Sequence, residues 1–343
     1  MRFITRRSPY FQWPLSCHLR RGRASSVTRE ALMSFILTHP LDREDAVTVS
    51  SMRAIAGSGK GKLRSINARA AFDAIMENVL PRSDVTFEAG TIGRVQGLWA
   101  DPMRGREDAV ILHLHGGWFN FGSAKAFRHL VGHIAARAGA RAFIPDYRLA
   151  PEHPFPAAVD DVMACYRGLD KSGVRRIAVT GDSAGGNLAL VLASLASNER
   201  AAAKAALAGV VAFSPVTDLT LSGDSYRTRA EAEPYFTREQ VAELVHAYLG
   251  DADPKHPMAS PLYASLSALP PVRIHVGDDE VLLDDSRRYV ERAVDAGLDA
   301  RLDIWLGMAH GFAGSIGNLK AATLALDATG IFLGERLRAP ISP

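Results

Sequence analysis

Short apolar runs alternate with longer amphipathic runs over most of this chain of 343 residues. After residue 114, most of the longer runs that separate the short apolar runs have the length and the periodicity of helices. Strands that alternate with helices of ten or more residues form parallel sheets with crossover helices, so the pattern predicts an α/β fold with a mostly parallel, eight-stranded sheet. The predicted strands lie near 84–89, 93–100, 109–114, 141–146, 175–180, 208–213, 272–276 and 300–305.

Two stretches depart from this alternation. Residues 41–79 carry two amphipathic segments of helical character, separated by the glycine-rich loop 57–61. The segment 219–262 is polar and interrupted by prolines, so it predicts an insertion between strands. The longest apolar run, 188–196, is too short to span a membrane and predicts a buried helix.

The sequence Gly-Asp-Ser-Ala-Gly-Gly at 181–186 lies between an apolar run and an Ala/Leu-rich helical run. A serine at a tight turn from strand to helix is typical of a nucleophile elbow. The glycines on either side of Ser183 allow a strained serine backbone and close packing of the strand on the helix. The motif therefore predicts Ser183 as a nucleophile.

A second glycine turn, His-Gly-Gly-Trp at 115–118, follows the predicted strand 109–114. We expect the backbone N–H groups of Gly116, Gly117 and Ala184 to form an oxyanion hole, which binds the negative oxygen that develops when a serine attacks an ester. An acidic cluster at 278–280 and then His310 follow Ser183. This is the order of nucleophile, acid and histidine that the nucleophile-elbow architecture uses.

These motifs resemble those of the hormone-sensitive-lipase-like (family IV) bacterial esterases, within the α/β-hydrolase superfamily. The resemblance implies an α/β-hydrolase fold with a helical cap, no metal or organic cofactor, and a serine carboxylesterase acting on short-chain acyl esters. The family usually has a third glycine where this chain has Trp118, and we expect the larger side chain to narrow the pocket. The matching segments, within roughly residues 80–335, are 115–117, 146–158, 181–186, 214–219, 279–286 and 310–312.

The resemblance also guides the choice of the triad acid. Many relatives carry the acid as the first Asp of an Asp-Pro-Leu-x-Asp motif, and aligning the second Asp with Asp284 assigns the acid to Glu280. Asp279 is the alternative, and Asp284 is expected to cap the following helix. The predicted triad is therefore Ser183, His310 and Glu280, with water hydrolysing an acyl-enzyme.

Other functions stay open at this stage. The same site could open a lactone or cleave a carbamate or amide, because these reactions share carbonyl chemistry and differ in pocket shape. A non-catalytic ligand-binding receptor of the same fold is the alternative from another class. Such receptors have lost the catalytic histidine, whereas this chain has His310, which favours the enzyme.

Charge is distributed unevenly along the chain. The net charge is +3, but residues 1–32 hold seven arginines and one acid, so the rest of the chain is slightly acidic. A nucleic-acid or membrane role would depend on this basic arm alone, and we predict neither. We expect the arm to be disordered or absent from the mature protein, with Met33 as the initiator. Residues 33–80 then form cap helices, and residues 81–343 form the catalytic domain, with a second cap element near 219–262.

Cysteines and histidines change this picture little. Cys17 and Cys165 lie far apart and suggest no disulfide framework, which favours a cytoplasmic location. A homodimer is left open, and the expected partner is a small-molecule ester. No metal site is predicted for either histidine pair, His113 with His115 or His129 with His133. A buried polar scaffold beneath the site is expected from Asp146, Tyr147, Arg148 and Asp160.

Overall fold

The sheet is the element that positions every candidate site residue. The computed structural model describes residues 35–199, 202–266 and 268–339. Its strands are β1 (Ile36–His39), β2 (Val85–Ile92), β3 (Val95–Pro102), β4 (Arg106–Leu114), β5 (Ala140–Pro145), β6 (Arg176–Asp182), β7 (Ala206–Phe213), β8 (Val272–Gly277) and β9 (Ala300–Trp305). Within the described ranges these nine strands form one sheet in the order β1-β9-β8-β7-β6-β4-β5-β3-β2. Neighbours are parallel except for the pairs β2–β3 and β3–β5.

Helices cover both faces of the sheet, as parallel crossovers require. They are α1 (Arg43–Ala56), α2 (Arg69–Glu77), α3 (Ala124–Ala138), α4 (Ala157–Lys171), α5 (Ala184–Asn198), α6 (Ser225–Thr228), α7 (Arg238–Leu249), α8 (Leu283–Asp295) and α9 (Lys320–Arg338). Apolar side chains of α3 and α9 share one core, and those of α4, α5 and α8 share the core on the opposite face. The central strands are therefore buried on both sides and read as continuous apolar runs.

All eight predicted strands are present, but the sheet has nine strands rather than eight. The additional strand, β1, pairs in parallel with β9 at the edge of the sheet. It has only four residues, and none of them is fully buried. A short edge strand of this kind leaves no buried apolar run in the sequence, so the pattern of hydrophobic positions did not predict it.

Three further expectations concern helices, termini and cysteines. Residues 188–196 lie within α5, most of which is buried, as expected. No helix in the described part of the chain is long and apolar enough to cross a membrane. Cys165 is a buried free thiol on α4. The basic arm 1–32, with Cys17, and the residue Met33 lie outside the described residues.

Candidate active site

The elbow places Ser183 between the end of β6 and the start of α5. Its backbone has φ 54° and ψ −118°, a conformation that a non-glycine residue holds only when the surrounding structure enforces it. A side chain on Gly185 would collide with the carbonyl oxygen of Leu114, and one on Gly181 with that of Gly185. The two glycines thus let the helix sit directly against the strands, and the serine remains at the apex of the turn.

His310 and Glu280 are brought together from two loops. His310 follows β9 and Glu280 follows β8, and His310 Nδ1 lies 2.8 Å from Glu280 Oε2. The other carboxylate oxygen, Oε1, accepts hydrogen bonds from Ser214 Oγ at 2.7 Å and from Gly277 N at 2.6 Å. Glu280 is fully buried, so its orientation is set by these three contacts.

Ser183 and His310 line one small pocket at the carboxyl edge of the sheet. The pocket is partly open to solvent, and its cavity volume is about 20 Å³. Ligand sites in parallel sheets form at this edge, where strand ends and their loops converge. The remaining lining residues are Asp182, Phe213, Ser214, Gly311, Phe312 and Ala313.

Electrostatics around His310 favour its charged form. Burial lowers the pKa of His310, but the charge and hydrogen bond of Glu280, and then the charges of Glu233 and Asp182, outweigh this, so the pKa is raised above its usual value. A base with a stabilised imidazolium form accepts a proton more readily. The histidine is therefore suited to take a proton from a nearby hydroxyl.

Glu233 is a second carboxyl group near the histidine that the sequence analysis missed. It is fully buried, and its oxygens accept hydrogen bonds from the N–H groups of Tyr235 and Val281. Burial, with a further contribution from the charge of Glu280, raises the pKa of Glu233 to about 7, although His310 opposes the shift. No motif marks this residue, because it lies in the irregular segment 219–262.

The glycine turn 115–118 differs in one respect from the expectation that its glycine N–H groups are free donors. The N–H of Gly116 donates to Asp182 Oδ1 at 3.0 Å, so it is not a free donor. Among the described residues, the N–H groups of Gly117, Trp118 and Ala184 have no hydrogen-bond partner. Of the three donors expected from the sequence, Gly116 is therefore hydrogen-bonded and Gly117 and Ala184 are unpaired, and the N–H of Trp118 is unpaired as well.

Each of these three N–H groups belongs to a peptide unit whose carbonyl oxygen is held. His115 Nδ1 donates to the oxygen of Gly116 at 2.9 Å, and two backbone N–H groups donate to the oxygen of Gly117, each at 2.9 Å. The oxygen of Ser183 accepts from two further N–H groups, at 3.1 and 3.2 Å. Because N–H and C=O point in opposite directions in a planar trans peptide, these bonds fix the directions of all three N–H groups.

Trp118 adopts a strained backbone and places an aromatic wall beside the site. Trp118 and Phe119 have φ of 51° and 62°, a left-handed conformation that costs a non-glycine residue roughly 1–2 kcal/mol. The Trp118 side chain is buried, and its ring meets that of Phe236 edge-on at 5.5 Å. Phe236 in turn meets the His310 ring edge-on at 5.0 Å. The tryptophan is thus linked to the histidine through one aromatic ring.

The other acidic residues near Glu280 have different partners. Asp279 pairs with Arg53 of α1, and Asp278 accepts a hydrogen bond from the N–H of Gly307. Asp284 was expected to cap α8, but this expectation was wrong. It lies inside the first turn of that helix and accepts from the N–H of Ser225 at 2.8 Å. Of these four carboxylates, only Glu280 contacts His310.

Of the buried polar scaffold expected beneath the site, only Tyr147 is buried, since Asp146 and Arg148 are exposed and Asp161 replaces Asp160. Asp160 is exposed, whereas the next residue of α4 is on the buried face and pairs with Arg148 at 2.8 Å. Tyr147 Oη donates to the carbonyl oxygen of His115 at 2.6 Å. Asp146 Oδ1 accepts from the first N–H of α3 at 2.6 Å. The contacts of Tyr147 and Asp146 anchor the first residue of the glycine turn 115–118 and the start of the helix that follows it.

The two histidine pairs have structural partners. His113 Nδ1 is 2.9 Å from Thr180 Oγ1, and the His115 ring stacks on that of Tyr147 at 4.2 Å. His133 Nε2 lies 2.7 Å from the carbonyl oxygen of Leu80. Within the described ranges, no group of three or more His, Cys, Asp or Glu side chains is arranged to hold a metal ion.

Comparison with known proteins identifies the family. A model of an α/β-hydrolase fold family matches residues 111–314. An acetyl-hydrolase of Streptomyces hygroscopicus is 36% identical over 265 residues, which cover 76% of this chain and 86% of that protein. An esterase of Acinetobacter venetianus is 35% identical over 224 residues, covering 64% of this chain and 73% of that protein.

Solved structures agree with these relatives. The crystal structure of an esterase from the bacterial hormone-sensitive lipase family is similar, with a TM-score of 0.79 and 35% sequence identity. The match covers 86% of this chain and 99% of the other. The chain belongs to the α/β-hydrolase fold family. Its predicted resemblance to the hormone-sensitive-lipase-like esterases is confirmed.

Proposed function

We propose that the protein is a serine carboxylesterase that hydrolyses short-chain acyl esters through Ser183, His310 and Glu280. Its general class, a carboxylic ester hydrolase, is supported by its family and by the esterases that it resembles. The observation that carries the residue assignment is the 2.8 Å contact of His310 Nδ1 with buried Glu280, in a pocket that the strained Ser183 also lines.

The reaction takes place in two steps of acyl transfer. Glu280 accepts the Nδ1–H of His310, which leaves Nε2 free to take the proton of the Ser183 hydroxyl as its oxygen attacks the ester carbonyl. The imidazolium then protonates the leaving alcohol, and the acyl group remains on Ser183. A water molecule, deprotonated by the same histidine, attacks the acyl-enzyme and releases the acid.

The oxyanion of each tetrahedral intermediate is assigned to the unpaired N–H groups of Gly117, Trp118 and Ala184. Their directions are set before substrate binds, so they need no reorganisation as the negative charge develops. By analogy with other oxyanion holes, each donor contributes a factor of about 10²–10³ to the rate. Gly116 acts instead through its hydrogen bond to Asp182, which anchors the first residue of the turn.

The cap is assigned to the helices α1 and α2, within residues 33–80, together with the segment 219–262. Contacts join these parts to each other and to the site: Arg53 of α1 donates to the carbonyl oxygen of Ala232 and pairs with Asp279. Gln240 of α7 donates to the carbonyl oxygen of Leu63 at 2.7 Å. A cap held this closely over the loops after β8 and β9 limits the space for substrate.

The preference for short acyl chains is supported by two observations. The Trp118–Phe236 pair occupies space beside His310 that a glycine in place of Trp118 would leave open. One of the relatives described above is itself named an acetyl-hydrolase. The cytoplasmic location and the homodimer left open by the sequence stay predictions.

Replacement of the nucleophile tests the proposed function. We expect Ser183→Ala to reduce hydrolysis of p-nitrophenyl acetate and butyrate by several orders of magnitude, roughly 10⁴-fold or more, with an unchanged melting temperature. Ser51→Ala, at an exposed serine of α1, is the matched control and should keep full activity. Near-normal turnover by Ser183→Ala would overturn the assignment.

A further inference from the structure

Asn120 is a buried amide that the mechanism above does not use. It lies two residues after Trp118 and is 3% exposed. Its Nδ2 donates to the carbonyl oxygen of Trp118 at 2.5 Å and to that of Leu244 at 3.0 Å. One side chain thus joins the turn that carries the unpaired N–H groups to helix α7, which lies outside the sheet.

The main chain of Asn120 makes a second connection. Its N–H donates to the carbonyl oxygen of Gly117 at 2.9 Å, and its own carbonyl oxygen accepts from Arg69 Nε at 2.8 Å. Arg69 belongs to α2 and also donates to the carbonyl oxygen of Ala150 at 2.9 Å. The same residue therefore connects the turn to both α2 and α7.

These contacts bear on the direction of the N–H of Trp118, which shares a rigid peptide unit with the carbonyl of Gly117. Trp118 and Phe119 are both left-handed, a conformation that such side chains rarely adopt, so the turn needs outside support to keep its shape. We propose that Asn120 is a positioning residue that holds the turn 117–119 and thereby aims its N–H groups at the oxyanion. This inference rests on the proposed esterase function and adds that α2 and α7 help to order the oxyanion hole.

The variant Asn120→Asp tests the role of the two amide donors. Aspartate has nearly the same size and shape, but its carboxylate offers no N–H to the carbonyl oxygens of Trp118 and Leu244. Donors that act mainly in the transition state affect kcat more than KM. We expect kcat to fall by about 10- to 100-fold while KM changes by less than about threefold. Asn198→Asp, at an exposed position at the end of α5, is the matched control and should leave both constants unchanged.

The inhibition constant of an inhibitor that forms a tetrahedral adduct is a second measurement, and it does not change when part of the protein is unfolded. A trifluoromethyl ketone adds reversibly to the Ser183 hydroxyl and places an oxyanion where the reaction places one. Its inhibition constant in Asn120→Asp should rise by the same factor by which kcat/KM falls. A purely structural defect would reduce the amount of active enzyme and leave the inhibition constant unchanged.

The possible outcomes separate this proposal from the function on which it rests. If the wild-type protein does not hydrolyse p-nitrophenyl acetate, the proposed function fails. If the wild type is active and Asn120→Asp keeps its kcat and inhibition constant, the positioning role alone is refuted. If Asn120→Asp does not fold, Asn120→Ser, which keeps one donor, is compared in the same way. A parallel change of kcat and inhibition constant then supports the role, and unchanged values refute it.

Discussion

Replacement of Glu280 by glutamine is expected to reverse the hydrogen bond that orients His310. In the wild type, Glu280 Oε1 accepts from Ser214 Oγ and from the N–H of Gly277, while Oε2 faces His310 Nδ1. A glutamine must place its carbonyl oxygen at the position of Oε1, because an NH₂ group there would face the N–H of Gly277. Its NH₂ group then points at Nδ1, which must accept, so the ring proton moves to Nε2. In that tautomer His310 cannot take the proton of Ser183.

The size of the effect follows from two contributions. Turning the amide to restore the productive tautomer leaves the buried N–H of Gly277 unsatisfied, which costs about 1–3 kcal/mol, a factor of about 5–150. The glutamine also lacks the charge that stabilises the imidazolium 2.8 Å away, worth at most about 6 kcal/mol at an effective dielectric constant of about 20. If a third of this stabilisation is lost, about 2 kcal/mol, the rate falls by a further factor of about 30. We therefore expect kcat to fall by about 10²–10⁴-fold.

The assay is steady-state hydrolysis of p-nitrophenyl acetate near neutral pH, with melting curves to show that the variant folds. Asp279→Asn is the matched control, because Asp279 is adjacent in sequence but pairs with Arg53. It should change kcat only slightly. A loss below about tenfold in Glu280→Gln would refute the tautomer argument. An equal or larger loss of kcat in Asp279→Asn would assign the triad acid to Asp279 instead of Glu280.

Two further predictions concern the pocket and the pH profile. Trp118→Gly removes the wall beside His310 and should raise the ratio of decanoyl to acetyl ester hydrolysis by about tenfold or more; an unchanged ratio would contradict this. Glu233→Gln removes a carboxyl group whose negative charge, present above its own pKa of about 7, helps to raise the pKa of His310. Because His310 must be neutral to act as base, the acid limb of kcat/KM should move to lower pH. Glu231→Gln, two residues away and exposed, should leave that limb in place, and a limb unmoved or shifted upward in Glu233→Gln would refute the coupling.

The sequence predicted the features that depend on local patterns. Central strands buried on both faces appear as apolar runs, and the elbow is recognisable from its short Gly-x-Ser-x-Gly spacing, although the contact that requires Gly185 is with Leu114 of β4. The choice of Glu280 rested on alignment with a family motif, and its contact with His310 follows from the parallel arrangement of β8 and β9. Features that depend on strand order and on local turns could therefore be predicted from the sequence.

The features that were missed depend on partners distant in the chain. The N–H of Gly116 is occupied by Asp182, which lies at the end of a neighbouring strand, and no property of the glycine turn indicates this. Glu233 lies in an irregular segment and approaches His310 only because that segment folds back over the loop after β8. Helical phase explains the error over Asp160, since one step along α4 exchanges the exposed face for the buried one. Such long-range pairings can be identified only from the folded structure.

The position of β1 also has a consequence for biosynthesis. β1 precedes every other strand of the described chain and pairs only with β9, the last strand, at the edge of the sheet. A ribosome-bound chain therefore carries β1 without its partner until residues 300–305 have emerged, and the loop that bears His310 follows directly. Contacts between such distant segments slow folding and expose strand edges meanwhile. Completion of the sheet edge and arrival of the histidine are thus late, nearly simultaneous events in the making of the enzyme.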